Sequence, residues 1–256
     1  MPATSVTAKT TPVPSSAAAV GGLARYVSFG IVCAHPDDES FGLGAVIAAL
    51  VDGGARASLA CLTRGEGSTL GANADLSELR TRELGQAAEV LGITTVEAFD
   101  HPDGRLAEVD FARLVADVCG AVADGEALLT FDHGGITGHP DHQRATDAAV
   151  AAGRQLGVPV FGWALPEDVA GTLRHEFGAP FVGRPSDDLH HRIEVDRAQQ
   201  RRAMACHTSQ DNPVPHRRIE LQGPEEHLRV LHRPGAAAAD GTTFEEHEAT
   251  RSTEQR

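Results

Sequence analysis

Val27-Ser-Phe-Gly-Ile-Val-Cys-Ala34, followed at once by His35-Pro-Asp-Asp-Glu39 and then by Gly42-Leu-Gly-Ala-Val-Ile-Ala-Ala-Leu-Val51, decides how the chain reads. The first run is apolar or small throughout and has no polar face, so it reads as a strand covered on both sides. The last run, rich in Ala, Leu, Val and Ile, reads as a helix. The same alternation continues downstream. Strands are predicted over 57–62, 94–99, 127–130 and 158–161, and helices over 76–91, 111–123 and 140–156, with Gly-rich loops at 63–75 and 131–138. Such alternation means βαβ units: an α/β fold, with a mostly parallel sheet flanked by helices in a single domain. Sheets of this kind gather their ligands at the carboxyl ends of the strands. After Trp163, itself read as core, the pattern loosens, and a helix from Glu194 to about Ala205 is the one element predicted there.

At 256 residues the chain is long enough for one large domain with a sizeable core. Hydrophobic residues at 41% and charged residues at 23% place it with globular proteins rather than disordered or fibrous ones. Acidic residues number 36 and basic ones 22, a net charge of −14, which repels phosphate backbones and anionic lipid and argues against nucleic-acid or membrane partners. No apolar run approaches the roughly 18 residues of a membrane span. The four cysteines form no C-x-x-C pair. Cys33 and Cys61, inside apolar runs, read as small buried hydrophobes, and neither a zinc ribbon nor a disulfide framework is expected. Residues 1–22 lack the cationic start and apolar stretch of a signal peptide and read as a disordered leader of a cytoplasmic protein. Residues 23–232 are the expected domain, and 233–256, rich in Ala, Gly, Thr and Glu, a disordered tail.

Three identical tripeptides carry the chemistry: His35-Pro36-Asp37, His101-Pro102-Asp103 and His139-Pro140-Asp141. Their unequal separations exclude a structural repeat, and each falls at a predicted strand end or in the loop after it. In the first, His35, Asp37, Asp38 and Glu39 crowd into five residues. Adjacent carboxylates repel. A divalent cation resolves the repulsion: an imidazole and one carboxylate bind it while another carboxylate stays free as a base. His142 can complete the set from a second loop, giving a centre with an open position, close in type to the His2Glu zinc hydrolases. A turn with a helix cap would explain His35–Glu39 alone, but the second cluster, Gly138-His-Pro-Asp-His142, weakens that explanation. The middle copy ends in Asp103-Gly104, a turn pair, and a plain turn explains it at least as well as a ligand contact. No role is assigned to His101.

Ala34-His-Pro-Asp-Asp-Glu39 followed by Gly138-His-Pro-Asp-His142 resembles the PIG-L/LmbE-like de-N-acetylase superfamily. The likeness runs over roughly residues 27–210 and takes in Cys61-Leu-Thr-Arg-Gly-Glu66, Phe99-Asp-His-Pro-Asp-Gly104 and Ala205-Cys-His-Thr-Ser-Gln210. It implies a Rossmann-like fold, in line with the strand–helix alternation. It also implies a metal-dependent hydrolase that removes an N-acetyl group from an N-acetylglucosamine-type sugar or related small-molecule conjugate by metal-activated water. By the same resemblance His35, Asp38 and His142 are the metal ligands, Asp37 is the general base, and His139, preferably protonated, stabilises the oxyanion. Arg64 and Asp103 fall where family members contact substrate. Asp141 either orients an imidazole from outside the ligand set or caps the following helix. His207 belongs to a recurring motif with no role assigned. The implied cofactor is Zn2+, with Fe2+ open because neither ligand type nor number excludes iron. Two rival readings stand beside this one. A non-haem Fe(II) oxygenase would use a 2-His-1-carboxylate triad, but such triads sit in all-β jelly rolls, against the βαβ pattern. A non-catalytic carbohydrate-binding relative is disfavoured because Asp37 and the whole ligand set are retained.

Overall fold

The computed structural model describes residues 20–70 and 75–235. The expected leader therefore lies outside the described residues up to position 19, and the expected tail beyond position 235. Val20 is buried in the core and Gly21–Leu23 form a 3-10 turn, so the end of the expected leader packs with the domain.

Seven strands form one sheet: β1 (Ser28–Cys33), β2 (Arg56–Thr63), β3 (Thr95–His101), β4 (Ala127–Phe131), β5 (Val160–Trp163), β6 (His191–Glu194) and β7 (Glu225–His232). Their order is β3-β2-β1-β4-β5-β7-β6. Neighbours among the first five are parallel, and β7 pairs antiparallel with both β5 and β6. The longer helices are α1 (Gly44–Asp52), α2 (Leu76–Leu91), α3 (Phe111–Ala121), α4 (Pro140–Leu156), α5 (Glu167–Phe177), α6 (Ala198–Met204) and α7 (Pro213–Gln222). Short turns at Asp38–Phe41 and Gly135–Gly138 precede α1 and α4.

The two-residue period of β1 divides the core. Phe29, Ile31 and Cys33 pack on one face with Ile47 and Leu50 of α1 and Leu84 and Leu91 of α2. Val32 and Ala34 pack on the other with Leu114 and Val118 of α3 and Ala145, Ala148 and Ala152 of α4. A strand covered on both faces has no polar side, which is why Val27–Ala34 carries none. The expected mostly parallel α/β architecture is the observed one, and α2 and α4 span the expected ranges. The helix expected from Glu194 starts later, at Ala198. Glu194 instead closes β6, and Asp196 Oδ1 accepts from Ala198 N at 2.8 Å to start the helix. Among the described residues no helix is long and apolar enough to cross a membrane.

Winding reverses at β1: β2 and β3 build out on one side, β4 and β5 on the other. The loops leaving β1 and β4 therefore part from each other, and a crevice opens at the carboxyl ends of these two strands. His35–Glu39 leaves β1 into that crevice, and the segment ending in His139–His142 leaves β4 into it.

Candidate active site

Beyond β1 the chain turns through His35, Pro36 and Asp37, and Asp38 pins the turn. Asp38 Oδ2 accepts from Ala34 N at 3.1 Å and from His35 N at 2.9 Å. Its other oxygen, Oδ1, lies 3.1 Å from His142 Nε2, and His35 Nδ1 lies 3.2 Å from the same nitrogen. The second nitrogen of each ring is engaged elsewhere. His142 Nδ1 donates to the Gly135 carbonyl at 3.0 Å, and His35 Nε2 meets Asp103 Oδ1 at 3.0 Å and Asp141 Oδ2 at 3.3 Å. With those contacts directed outward, His35 Nδ1 and His142 Nε2 are left facing each other beside Asp38, 3.8 Å from its Oδ2 and 3.1 Å from its Oδ1 respectively. Outer carboxylates and carbonyls fix the tautomers of metal-binding histidines in this way.

Electrostatics point the same way. Burial disfavours a charged His35, but hydrogen bonds to Asp103 and Asp141 and the charge of Asp38 outweigh it and push the ring up to about 10. His142 is likewise raised, by Asp38 against burial. A site that draws protons onto one buried and one half-buried imidazole draws a divalent cation for the same reason. The ligand atoms of His35, Asp38 and His142 all lie within 4.8 Å of one another, which fits one ion. His35, His139 and Asp141 form a second group within that distance, but its atoms are already used. His139 Nδ1 accepts from Asp141 N at 3.2 Å, and the Asp141 oxygens accept from Gly104 N at 2.7 Å and Leu106 N at 3.0 Å as well as meeting His35.

Those bonds settle what Asp141 touches. It is fully buried, contacts His35 and ties the loop after β3 to α4. It does not cap α4; His139 does, through Nδ1. A neutral His139 therefore carries its proton on Nε2. The expectation of a protonated ring runs against its surroundings, because burial and the positive rings of His142 and His35 lower its pKa. Both neighbouring ring centroids are 4.9 Å away.

Asp37 has φ of 134°, a backbone region unusual for a residue with a Cβ. Two side chains, Glu39 and Arg80, hold it there, and the Gly65 carbonyl anchors Arg80 in turn. Glu39 Oε2 accepts the Asp37 N–H at 2.9 Å, Arg80 Nη2 bonds Asp37 Oδ2 at 3.0 Å and the Pro36 carbonyl at 2.6 Å, and Arg80 Nη1 bonds the Gly65 carbonyl at 2.7 Å. A Cβ at Gly65 would overlap that guanidinium, so only glycine fits there. Burial raises the Asp37 carboxyl, Arg80 pulls it down and Asp38 raises it again, leaving it at about 6. Glu39 is itself buried, with Oε1 accepting from Ser40 Oγ and His207 Nε2, each at 2.6 Å.

The crevice holds a cleft of about 310 Å3. His35, Asp37, Asp38, Asp103, His139 and His142 all line it, as do Arg80, Ser68 and Gln210. Arg64 does not; it is exposed on the loop after β2. Asp103 lines the cleft with its carboxylate between His35 and Gly67 N, the latter at 2.9 Å. His101 points elsewhere, bonding Asp117 at 2.9 Å and stacking on Phe99. Sequence reasoning missed Arg80, although a signal existed. Leu76, Leu84, Ala87 and Leu91 form the buried stripe of α2, and Arg80 sits in that stripe four residues from both Leu76 and Leu84.

The PIG-L family profile, described as GlcNAc-PI de-N-acetylase, matches residues 31–153. N-acetylglucosaminyl-phosphatidylinositol de-N-acetylase of Bos taurus is 31% identical over 211 residues, covering 77% of this chain and 79% of that protein. The chain belongs to the PIG-L family. Within the relatives of this PIG-L chain, 1D-myo-inositol 2-acetamido-2-deoxy-alpha-D-glucopyranoside deacetylase of Kineococcus radiotolerans is 34% identical over 155 residues, 47% of this chain and 43% of that one. The chain spans about half the length of several curated relatives it matches. Among solved structures, 4-carboxy-2-hydroxymuconate hydratase of Pseudomonas putida has a TM-score of 0.62 at 21% identity, covering 80% of this chain and 96% of that one. Deacetylases of teicoplanin and of diacetylchitobiose share the fold at 18% and 17% identity. These likenesses establish the fold alone, and the hydratase among them means that chemistry must be argued from the site.

Proposed function

We propose that this PIG-L chain is a divalent-metal-dependent hydrolase that removes the N-acetyl group of an N-acetylglucosamine-type sugar or related small-molecule conjugate. One observation carries the reading: three ligand atoms, on His35, Asp38 and His142, converge beside a fourth residue, Asp37, whose carboxyl is half-buried at the cleft and raised to about 6. The relatives' names, which specify deacetylation of N-acetylglucosaminyl compounds, support the substrate class. The donor set suits Zn2+ and also Fe2+. A cation held there would supply Lewis acidity, acidifying water and polarising the amide carbonyl.

The chain's own residues do the rest. Asp37 uses Oδ1, the oxygen Arg80 leaves free, to take a proton from the attacking water, and Arg80 keeps that carboxylate oriented. His139 offers its Nε2–H to the oxygen that gains charge as the C–O bond forms. Asp37 then returns the proton to the amide nitrogen as the C–N bond breaks, releasing acetate and a free amine. Asp103, Ser68 and Gln210 face the sugar, and Arg64 is assigned to parts of the substrate beyond it. Asp141 acts through His35. A cytoplasmic setting belongs to the same reading, supported by Cys33, Cys61, Cys119 and Cys206 being free thiols.

The test is acetate and amine release from a panel of N-acetylglucosaminides by protein of measured metal content. Activity is expected to vanish on chelation and to return with Zn2+ or Fe2+, without 2-oxoglutarate. Fully metal-loaded protein that releases no acetate from any member would overturn the reading.

A further inference from the structure

A second cavity, of about 160 Å3, shares Asp38 and His142 with the polar cleft but is otherwise built differently. Phe41, Phe131, Ile136, Trp163, Phe181 and Val214 line it. Arg218, also in its wall, lies 5.0 Å over the Trp163 ring with both terminal nitrogens engaged: Nη1 by Gln222 and Glu226, Nη2 by the Phe41 carbonyl. The pocket is tied directly to the candidate ligands. The Phe131 ring meets His142 edge-on, with centroids 5.0 Å apart, and fills the space a Cβ at Gly42 would need. Ile136 has φ of 64° and ψ of −60°, a strained backbone for a β-branched residue, kept in place in part by Val182 N donating to its carbonyl at 2.7 Å. Such strain clusters where a wall must be positioned.

Hydrolysis of an acetyl group does not need this volume. An apolar cavity of about 150 Å3 holds benzene, so the pocket has room for about six carbon atoms. We propose that it is an acyl-chain subsite, and that the preferred substrates carry unbranched N-acyl groups longer than acetyl, up to about six carbons, on the same sugar amine. This rests on the hydrolysis reading above. The scissile carbonyl sits where the two cavities meet, at Asp38 and His142, with the amine portion in the polar cleft and the alkyl portion in the apolar pocket. Water adds across the C–N bond as before, giving the longer carboxylic acid and the free amine.

Metal-loaded protein is assayed against the N-acetyl, N-propionyl, N-butyryl and N-hexanoyl derivatives of glucosamine. kcat/KM is expected to rise about fourfold per methylene. Val214→Phe, which fills the pocket from the first turn of α7, is expected to lower the hexanoyl-to-acetyl ratio at least tenfold. Trp163, the single tryptophan, gives a readout independent of turnover. Its emission should respond to hexanoate, which binds at least tenfold more tightly than acetate, and the wild-type measurements stand even where the variant fails to fold. Turnover that is flat with chain length, or that favours acetyl, overturns the subsite and leaves amide hydrolysis intact. If no N-acyl sugar is cleaved, the hydrolysis reading falls and the titration alone decides: equal affinity for acetate and hexanoate overturns the subsite, and tighter hexanoate binding supports it.

Discussion

At Asp37 the same neighbours set geometry and protonation. Burial and Asp38 raise its carboxyl, Arg80 opposes them, and the balance lies at about 6. Only the carboxylate can accept a proton. kcat/KM is therefore expected to level off above pH 6 and to fall tenfold per unit below it, as a pH–rate profile would register. Arg80→Met removes the charge that holds the carboxyl down, so the acid limb should move to higher pH. A limb that stays in place would separate Arg80 from the base. Asp37→Asn keeps the shape but cannot take a proton. It is expected to lower kcat by about 10²–10⁴-fold while metal content holds, whereas His142→Ala should lose the metal. Equal metal loss in the two variants would make Asp37 a ligand. The first and third His-Pro-Asp copies were legible as chemistry because clustered His and Asp residues at strand ends have few other uses, whereas the middle copy read equally well as a plain turn. Arg80 and the Glu39–His207 pair were not, because a charged side chain in a sequence reads as solvated until its buried partners are known.

Elements explain why Asp141 matters more than its place beside His139 implies. It sits on the first turn of α4 yet holds the loop after β3 by two backbone bonds and His35 by a third contact. Asp141→Ala would leave the buried amide of Leu106 unpaired and remove the partly buried bond from Gly104, together a cost of about 2–3 kcal/mol. Thermal unfolding should fall by roughly 5–10 °C, and metal affinity, read by chelator competition, by about 10–100-fold. A variant with wild-type metal affinity would reduce Asp141 to a loop tether. Legibility at this scale followed burial pattern. α2 and α4 show the 3.6-residue stripe and were read to the residue. β7 did not, because alternation along Glu225–His232 places a glutamate, Glu226, on the buried face. Without β7 the antiparallel part of the sheet could not be seen, although the expected domain boundary at position 232 coincides with the end of that strand.

Across the whole molecule, that buried glutamate links the antiparallel side of the sheet to the crevice. Glu226 accepts from Trp163 Nε1 at 2.6 Å, from Arg218 at 3.0 Å and from Arg197, and all four side chains are buried. Arg218 continues to the Phe41 carbonyl at 2.7 Å, and Gln200, bonded to Arg197, continues to the Ser40 carbonyl at 3.0 Å. Both carbonyls belong to the turn that carries Asp38, so β7 and α7 brace the ligand loop from outside it. Burial would raise the Glu226 carboxyl, but Arg218 and Arg197 outweigh it and hold it below the usual carboxylate range. The sign of the linkage follows. A carboxylate with a depressed folded pKa stabilises the fold above its unfolded value of about 4.3, and that contribution is lost as the pH falls through the folded value. Glu226→Gln leaves two buried guanidinium groups without their anion, at a cost of about 3–5 kcal/mol at pH 7. The gap between wild type and variant in urea unfolding should therefore be widest at neutral pH and close as the pH drops below 4. A gap of constant size down to pH 2 would mean that Glu226 acts by packing alone and that the charge network does not brace the turn.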